Sequence, residues 1–271
     1  MKLCYLAMRV QQVHKRDAIV EGFDALGYKQ VHHPQFLIGD DVLYVTWNLH
    51  GKLDQTSKII AMGGTVIVCE NPYIKTDLDG KEYLAMAVNG HNGSGLTPQG
   101  EEDRLSKLGV SLEPWRDGGD HILVIGQRGI GSPTMKSPPR WGELTTEVLE
   151  QSQDLPIVHR PHPGRVQQQS QEPLEIQLDR AACIVMWASN CATPALLKGI
   201  PVFYNAPNCV LQKSCRHGLM VDKPIKSDVA RQQAFWDLSY AQWNLDEIRS
   251  GEAFTRLIEC KSLPQEEETP S

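Results

Sequence analysis

Short apolar runs that alternate with helix-patterned stretches along most of the chain restrict its fold more than any other feature. Leu3–Met8 (LCYLAM), Asp40–Trp47 (DDVLYVTW) and Gly64–Glu70 (GTVIVCE) are such runs in the first half. His121–Gln127 (HILVIGQ), Pro156–Pro161 (PIVHRP), Ala181–Ser189 (AACIVMWAS) and Pro201–Asn205 (PVFYN) follow in the second. Runs this short and nearly free of polar residues read as strands buried on both faces, so helices must cover both sides of a largely parallel sheet. The segments between them supply those helices: His14–Leu26, Leu53–Met62, a stretch after Trp141 and Cys191–Lys198. In the first, Ile19, Val20, Phe23 and Leu26 share one face, and Gly27 stands where a left-handed C-cap ends a helix. The chain is therefore α/β.

At 271 residues the chain is long enough for two units, each burying its own core. The alternation fails between Asn71 and Gly119, a stretch that reads as a long loop, functional or mobile, in which Asn89–Gly100 (NGHNGSGLTPQG) holds four glycines and two Asn-Gly pairs. The break at Arg116–Asp120 (RDGGD) sets the expected boundary. The division is then a first Rossmann-like domain over 1–117, a second over 118–226, a helical segment over 227–262 that returns to the first, and a frayed tail over 263–271.

Hydrophobic residues make up 41% of the chain, yet no apolar run approaches the ~18 residues of a membrane span. Arg9 interrupts the apolar N-terminus, which argues against a secretory signal. Seven cysteines without close pairing fit reduced thiols better than disulfides or a zinc site, so a cytoplasmic location is expected. A net charge of −6 argues against bulk nucleic-acid affinity while allowing a local basic groove. His32 and His33 are adjacent and lack acidic or cysteine neighbours, so no metal site is read there. Trp47, Trp115, Trp187, Trp236 and Trp243 fit core or interface packing better than base stacking.

Three turns in the second half carry anion chemistry. In open parallel sheets ligands bind beyond the carboxyl ends of strands, and Arg160 and His162 stand there in Ile157–Arg165 (IVHRPHPGR), with Pro161 and Pro163 fixing the backbone. Arginine offers a planar fork of donors to phosphate and histidine adds one more; a stiff basic surface turn is the competing reading. Ser189, Asn190 and Thr193 surround a helix start, where free amides favour an anion or the side chains simply cap the helix. Gly126–Pro133 (GQRGIGSP) adds a glycine-rich turn with Gln127, Arg128, Gly129 and Gly131, without matching a complete phosphate-loop or dinucleotide fingerprint. The expected strand order brings all three to one edge.

Arg160, His162 and Pro163, then Ser189, Asn190 and Thr193, then the exit Gly199, Ile200, Pro201 and Val202 resemble the donor domain of GT-B glycosyltransferases. The capsule-polysaccharide and glycerophosphate-polymer transferases are the relatives that show this pattern. The resemblance covers residues 120–205 and lacks the acidic residue that relatives place in the helix contacting the donor. It implies two Rossmann-like domains facing across a cleft, with the nucleotide and diphosphate of a nucleotide-sugar donor on the second. The combination with NGHNG also resembles bacteriophage-encoded glycosyltransferases, some of which modify hydroxymethylated pyrimidines in DNA, so modified phage DNA is one expected acceptor. No metal cofactor is expected, because the basic strand ends would offset leaving-group charge. His91 in the glycine-rich loop, His50 in Thr46–Lys52 (TWNLHGK) and Glu70 after TVIVC are the base candidates, His91 first, because its loop could close over substrate. A sugar-nucleotide epimerase and a non-catalytic nucleotide- or phosphosugar-binding protein are the alternatives.

Overall fold

The computed structural model describes residues 1–7, 13–32, 37–49, 55–74, 77–78, 80–129, 135–164 and 172–262. The first half runs β1 (Leu3–Leu6), α1 (Val13–Ala25), β2 (Lys29–Gln30), β3 (Val42–Trp47), α2 (Gln55–Ala61), β4 (Thr65–Glu70), β5 (Asp77–Leu78), β6 (Lys81–Val88) and α3 (Glu102–Lys107). The second runs β7 (His121–Ile125), α4 (Trp141–Glu150), β8 (Ile157–Arg160), α5 (Leu174–Arg180), β9 (Ala181–Met186), α6 (Ala192–Leu197), β10 (Val202–Tyr204) and β11 (Arg216–His217). The chain then continues through α7 (Asp228–Tyr240), β12 (Gln242–Asn244), α8 (Leu245–Arg249) and α9 (Glu252–Ser262).

Two sheets result. In the first the order is β12-β6-β4-β3-β1-β2, parallel from β4 to β2, with β6 antiparallel to both β4 and β12, and β5 pairs β6 off this path. The second has the order β11-β10-β9-β7-β8 and is parallel throughout. The alternation of apolar runs thus gives the α/β class it implies. Val124, Ile184 and Val185 are fully buried, as strands covered on both faces must be.

Three local expectations give way. The supposed loop over 71–119 contains β6, an eight-residue strand in which Leu84, Ala85, Met86 and Val88 are buried. Its composition is poor in β-branched residues, and burial between β4 and β12 decides its state instead. The helical segment over 227–262 is interrupted by β12, which pairs with β6 and returns the chain to the first sheet. Asn244 ends that strand and starts α8 with a reciprocal capping box, its side chain accepting from the Asp246 and Glu247 amides while Glu247 accepts from the Asn244 amide. The glycine-rich loop is packed rather than open: Leu96 and Val88 exchange backbone hydrogen bonds, and Gly93, at φ +86°, lies so close to the Cys209 carbonyl that no Cβ fits.

One apolar cluster includes Leu123, Ile184 and Leu196 in the second half, Phe235 and Leu238 of α7, and Ile74 and Tyr83 in the first. A second cluster fills the other layer, where Phe23 of α1 stacks on Phe254 of α9 at 4.1 Å between ring centroids. Gly22 makes that approach possible, since a Cβ there would fall 2.0 Å from the Ile248 carbonyl oxygen. Alanine normally favours a helix interior over glycine by about 1 kcal/mol. Here the collision is with backbone, so Gly22→Ala is expected to destabilise by roughly 1–3 kcal/mol, read from the urea midpoint at unchanged slope.

Candidate functional site

The second sheet's order sets the ends of β8, β7 and β9 side by side. The Gly126 amide donates to the Arg160 carbonyl at 2.8 Å, and a Cβ on Gly126 would meet that oxygen and the His162 nitrogen at 3.0 Å. Glycine therefore lets the β7 turn lie directly against the basic β8 turn. Gln127 and Gly129 are half-buried there, Arg128 is exposed, and Gly129 takes a left-handed φ of +67°. Gly131 lies outside the described residues.

Arg160 is oriented by neutral acceptors: its Nη1 donates to the Glu172 carbonyl at 2.6 Å and to Gln177 Oε1 at 2.7 Å. Such bonds fix the guanidinium without neutralising it. His162 accepts from the Gly164 amide at Nδ1, 2.9 Å away, which leaves Nε2 as the donor of a neutral ring. Partial desolvation, with Arg128 adding to it, holds its pKa below the ordinary imidazole value. His159, the β8 residue before Arg160, packs its Nε2 against Gly142 of α4, on a helix rather than at the edge.

Beyond β9, Ser189 Oγ accepts from the Cys191 amide at 3.2 Å, and the buried Thr193 donates its hydroxyl to Asn190 Oδ1 at 2.8 Å. These bonds close the turn, and no side chain caps α6 at its N-cap residue, Cys191.

This turn is also where the two halves touch. Asn190 Nδ2 donates to the Tyr73 carbonyl at 3.3 Å, and Asn92 Nδ2 donates to the Ala188 carbonyl at 3.0 Å. The same Asn92 and Tyr73 hold Glu70, the last residue of β4. The Tyr73 hydroxyl donates to Glu70 Oε1, and the Asn92 amide donates to Oε1 at 3.1 Å and to the Tyr73 oxygen at 2.9 Å. Desolvation raises the Glu70 pKa from the ordinary 4.5 to about 7, against the opposing pull of those two donors. Burial, reinforced by the neighbouring carboxylate, raises Tyr73 well above the usual phenol value. A carboxyl near neutrality is matched to proton transfer at ordinary pH.

His91 stands beside this group in sequence, but only 3% of it is exposed, and its backbone closes a turn with Ser94 Oγ. His50 lies outside the described residues. Tyr73, Asn92 and Gln177 escape a reading of local sequence; the only local signal was a tyrosine three residues beyond the strand-end glutamate. Among the described residues no three His, Cys, Asp or Glu side chains are grouped to hold a metal, and no helix is long and apolar enough to cross a membrane. Trp243 is fully buried, Trp115 faces the Arg231 guanidinium at 4.1 Å, and Trp187 packs edge-on to Trp141. These are packing roles.

Neither a protein-family model nor a curated protein matches the chain. The solved structures that share its fold include two transferases. One is the β-Kdo 2,7-transferase of KpsC from Thermosulfurimonas dismutans, with TM-score 0.52 and 14% identity over 97% of this chain and 100% of that one. The other is the β-Kdo 2,4-transferase of KpsC from the same organism, with TM-score 0.54 and 11% identity over 92% and 98%.

Proposed function

We propose that the chain is a glycosyltransferase that moves a sugar from a nucleotide-activated donor to an acceptor hydroxyl. The observation that carries this reading is the pair of contacts from Asn92 and Asn190, which join the carboxyl of Glu70 to the strand edge bearing Arg160 and His162. The fold shared with two transferases supports it. In this scheme residues 118–226 hold the donor, residues 1–117 serve the acceptor, and 227–262 join them.

Arg160 and Arg128 offset the charge that grows on the phosphate oxygen as its bond to the anomeric carbon breaks, and His162 donates from Nε2. The basic strand ends do this work in place of a divalent ion. Ionised Glu70 accepts the proton of the acceptor hydroxyl, whose oxygen forms the new bond to the anomeric carbon while the nucleotide departs with the bonding pair. His91 remains a neighbour of the reacting groups rather than the base. The two KpsC neighbours act on Kdo, so an acidic sugar donor heads the panel to be tried.

Calorimetric titration of nucleoside mono- and diphosphates into wild type and Arg160→Ala tests the donor half. Losing two or more kcal/mol of charge-assisted bonding corresponds to about 30-fold weaker binding or worse. The exposed-face variant Arg249→Ala should bind as wild type does. Equal affinity in wild type and Arg160→Ala would remove the donor assignment.

A further inference from the structure

A cavity of about 360 Å³ lies beside this junction, within the size range of small-ligand sites. Its wall is formed partly by Tyr73 and Asn92, the two residues that hold Glu70, and partly by the Cys209–Lys213 segment and α7. Leu96, Val210, Leu211 and Leu238 give it an apolar side, while Ser94, Thr97 and Gln212 give it a polar one. Among the described residues the side chains of Thr97 and Gln212 make no hydrogen bond, so both are available to a ligand.

Charge decides the ligand class. Among the described residues, Lys213 and Asp237 are the charged ones lining the cavity, and they face each other at 3.7 Å. Asp237 is further committed, accepting from the Gly100 amide and from Gln233 Nε2, each at 2.9 Å. Among the described residues the lining therefore carries no uncompensated charge. A nucleic-acid backbone would need several free cations, and a carboxylate or phosphate would need at least one. A pyranose ring matches what is present, with hydroxyls on its edge and C–H groups on its faces.

We infer that this cavity is the acceptor site and that it takes an uncharged sugar, a conclusion that rests on the transferase reading above. Glu70 is not itself a lining residue, so a hydroxyl placed at this wall reaches the carboxyl through the Tyr73 hydroxyl, which takes up its proton while passing its own to Glu70.

Ligand-observed NMR with methyl β-D-glucopyranoside, methyl β-D-galactopyranoside and methyl α-D-mannopyranoside, and with a hydroxymethylated DNA duplex, reads occupancy directly. Nucleoside diphosphate titration runs in parallel. At least one pyranoside should bind wild type. Ala234→Trp, which fills the cavity from α7, should weaken that binding at least tenfold, and Gln212→Ala should weaken it about three- to tenfold. Nucleotide affinity should be unchanged in both. Should Ala234→Trp fail to fold by circular dichroism, Gln212→Ala decides alone. Nucleotide binding with no pyranoside bound, pyranoside binding untouched by the deciding variant, or binding of the duplex alone would overturn the inference. Pyranoside binding without nucleotide binding would instead overturn the transferase reading and, with it, the acceptor role.

Discussion

Glu70→Gln is expected to lower kcat for sugar transfer by roughly 10²–10⁴-fold, the usual contribution of a positioned general base. Nucleotide affinity should stay at the wild-type value, because the proposed role of the carboxyl is toward the acceptor hydroxyl and not the donor phosphate. The amide keeps an oxygen for the Tyr73 hydroxyl and the Asn92 amide, so the junction itself survives the change. The wild-type rate should climb as pH rises through about 7, where Glu70 ionises, and then level off. Stability moves the other way. Between the ordinary 4.5 and about 7 the unfolded chain has lost this proton and the folded chain retains it, so wild-type stability falls across that window and stays lower above it. Glu70→Gln has no proton to lose and should be the more stable protein at pH 8, by roughly 1–3 kcal/mol, with the two converging near pH 4. Melting curves at the two pH values check this. An inactive variant less stable than wild type at pH 8 would mean that Glu70 braces the fold rather than serving the reaction.

Trp243→Ala should produce the largest loss of stability, about 3–5 kcal/mol, a large share of the 5–15 kcal/mol typical of a folded domain. Trp243 is fully buried at the centre of β12 and pairs with Leu84 of β6. The Arg104 guanidinium lies over its ring at 4.3 Å, and its Nη1 bonds Glu247 Oε1 at 2.6 Å while Nη2 and Nε donate to the Gln242 and Ser239 carbonyls. Removing the indole leaves a cavity and deprives this buried cation of its aromatic face. The damage extends to the site, because Gln242 Oε1 accepts from the Ile74 amide and so anchors the turn that presents Tyr73. Chemical denaturation reads the first effect, and a fall in kcat at temperatures where the variant is still folded reads the second. A loss under 1 kcal/mol would show that β12 is peripheral to the first sheet.

The parallel strands were legible because burial on both faces leaves an unbroken apolar run, as in HILVI and AACIVM. β6 was not, since LAMA is as good a helix or loop segment as a strand until β4 and β12 flank it. β12 has three residues and too little pattern to register. That the turns after β7, β8 and β9 share one edge was readable, because the strands of a parallel sheet all end on the same side. The junction was not, because its contacts are remote in sequence, with Asn92 reaching across 96 positions to Ala188. The glycines at 90, 93 and 95 suggested mobility, whereas the structure uses them for close approach, Gly93 to Cys209 and Gly90 to Gly95. Through the Asn92 amide that loop holds Glu70.

Product analysis tests the central claim most directly. Wild-type protein is incubated with a panel of nucleotide sugars and the uncharged methyl pyranosides, and every species is identified by mass. A new glycoside formed in equal amount to released nucleotide, and lost together with that release in Glu70→Gln, is the predicted result. Nucleotide sugars that are returned intact, isomerised or only hydrolysed would contradict it.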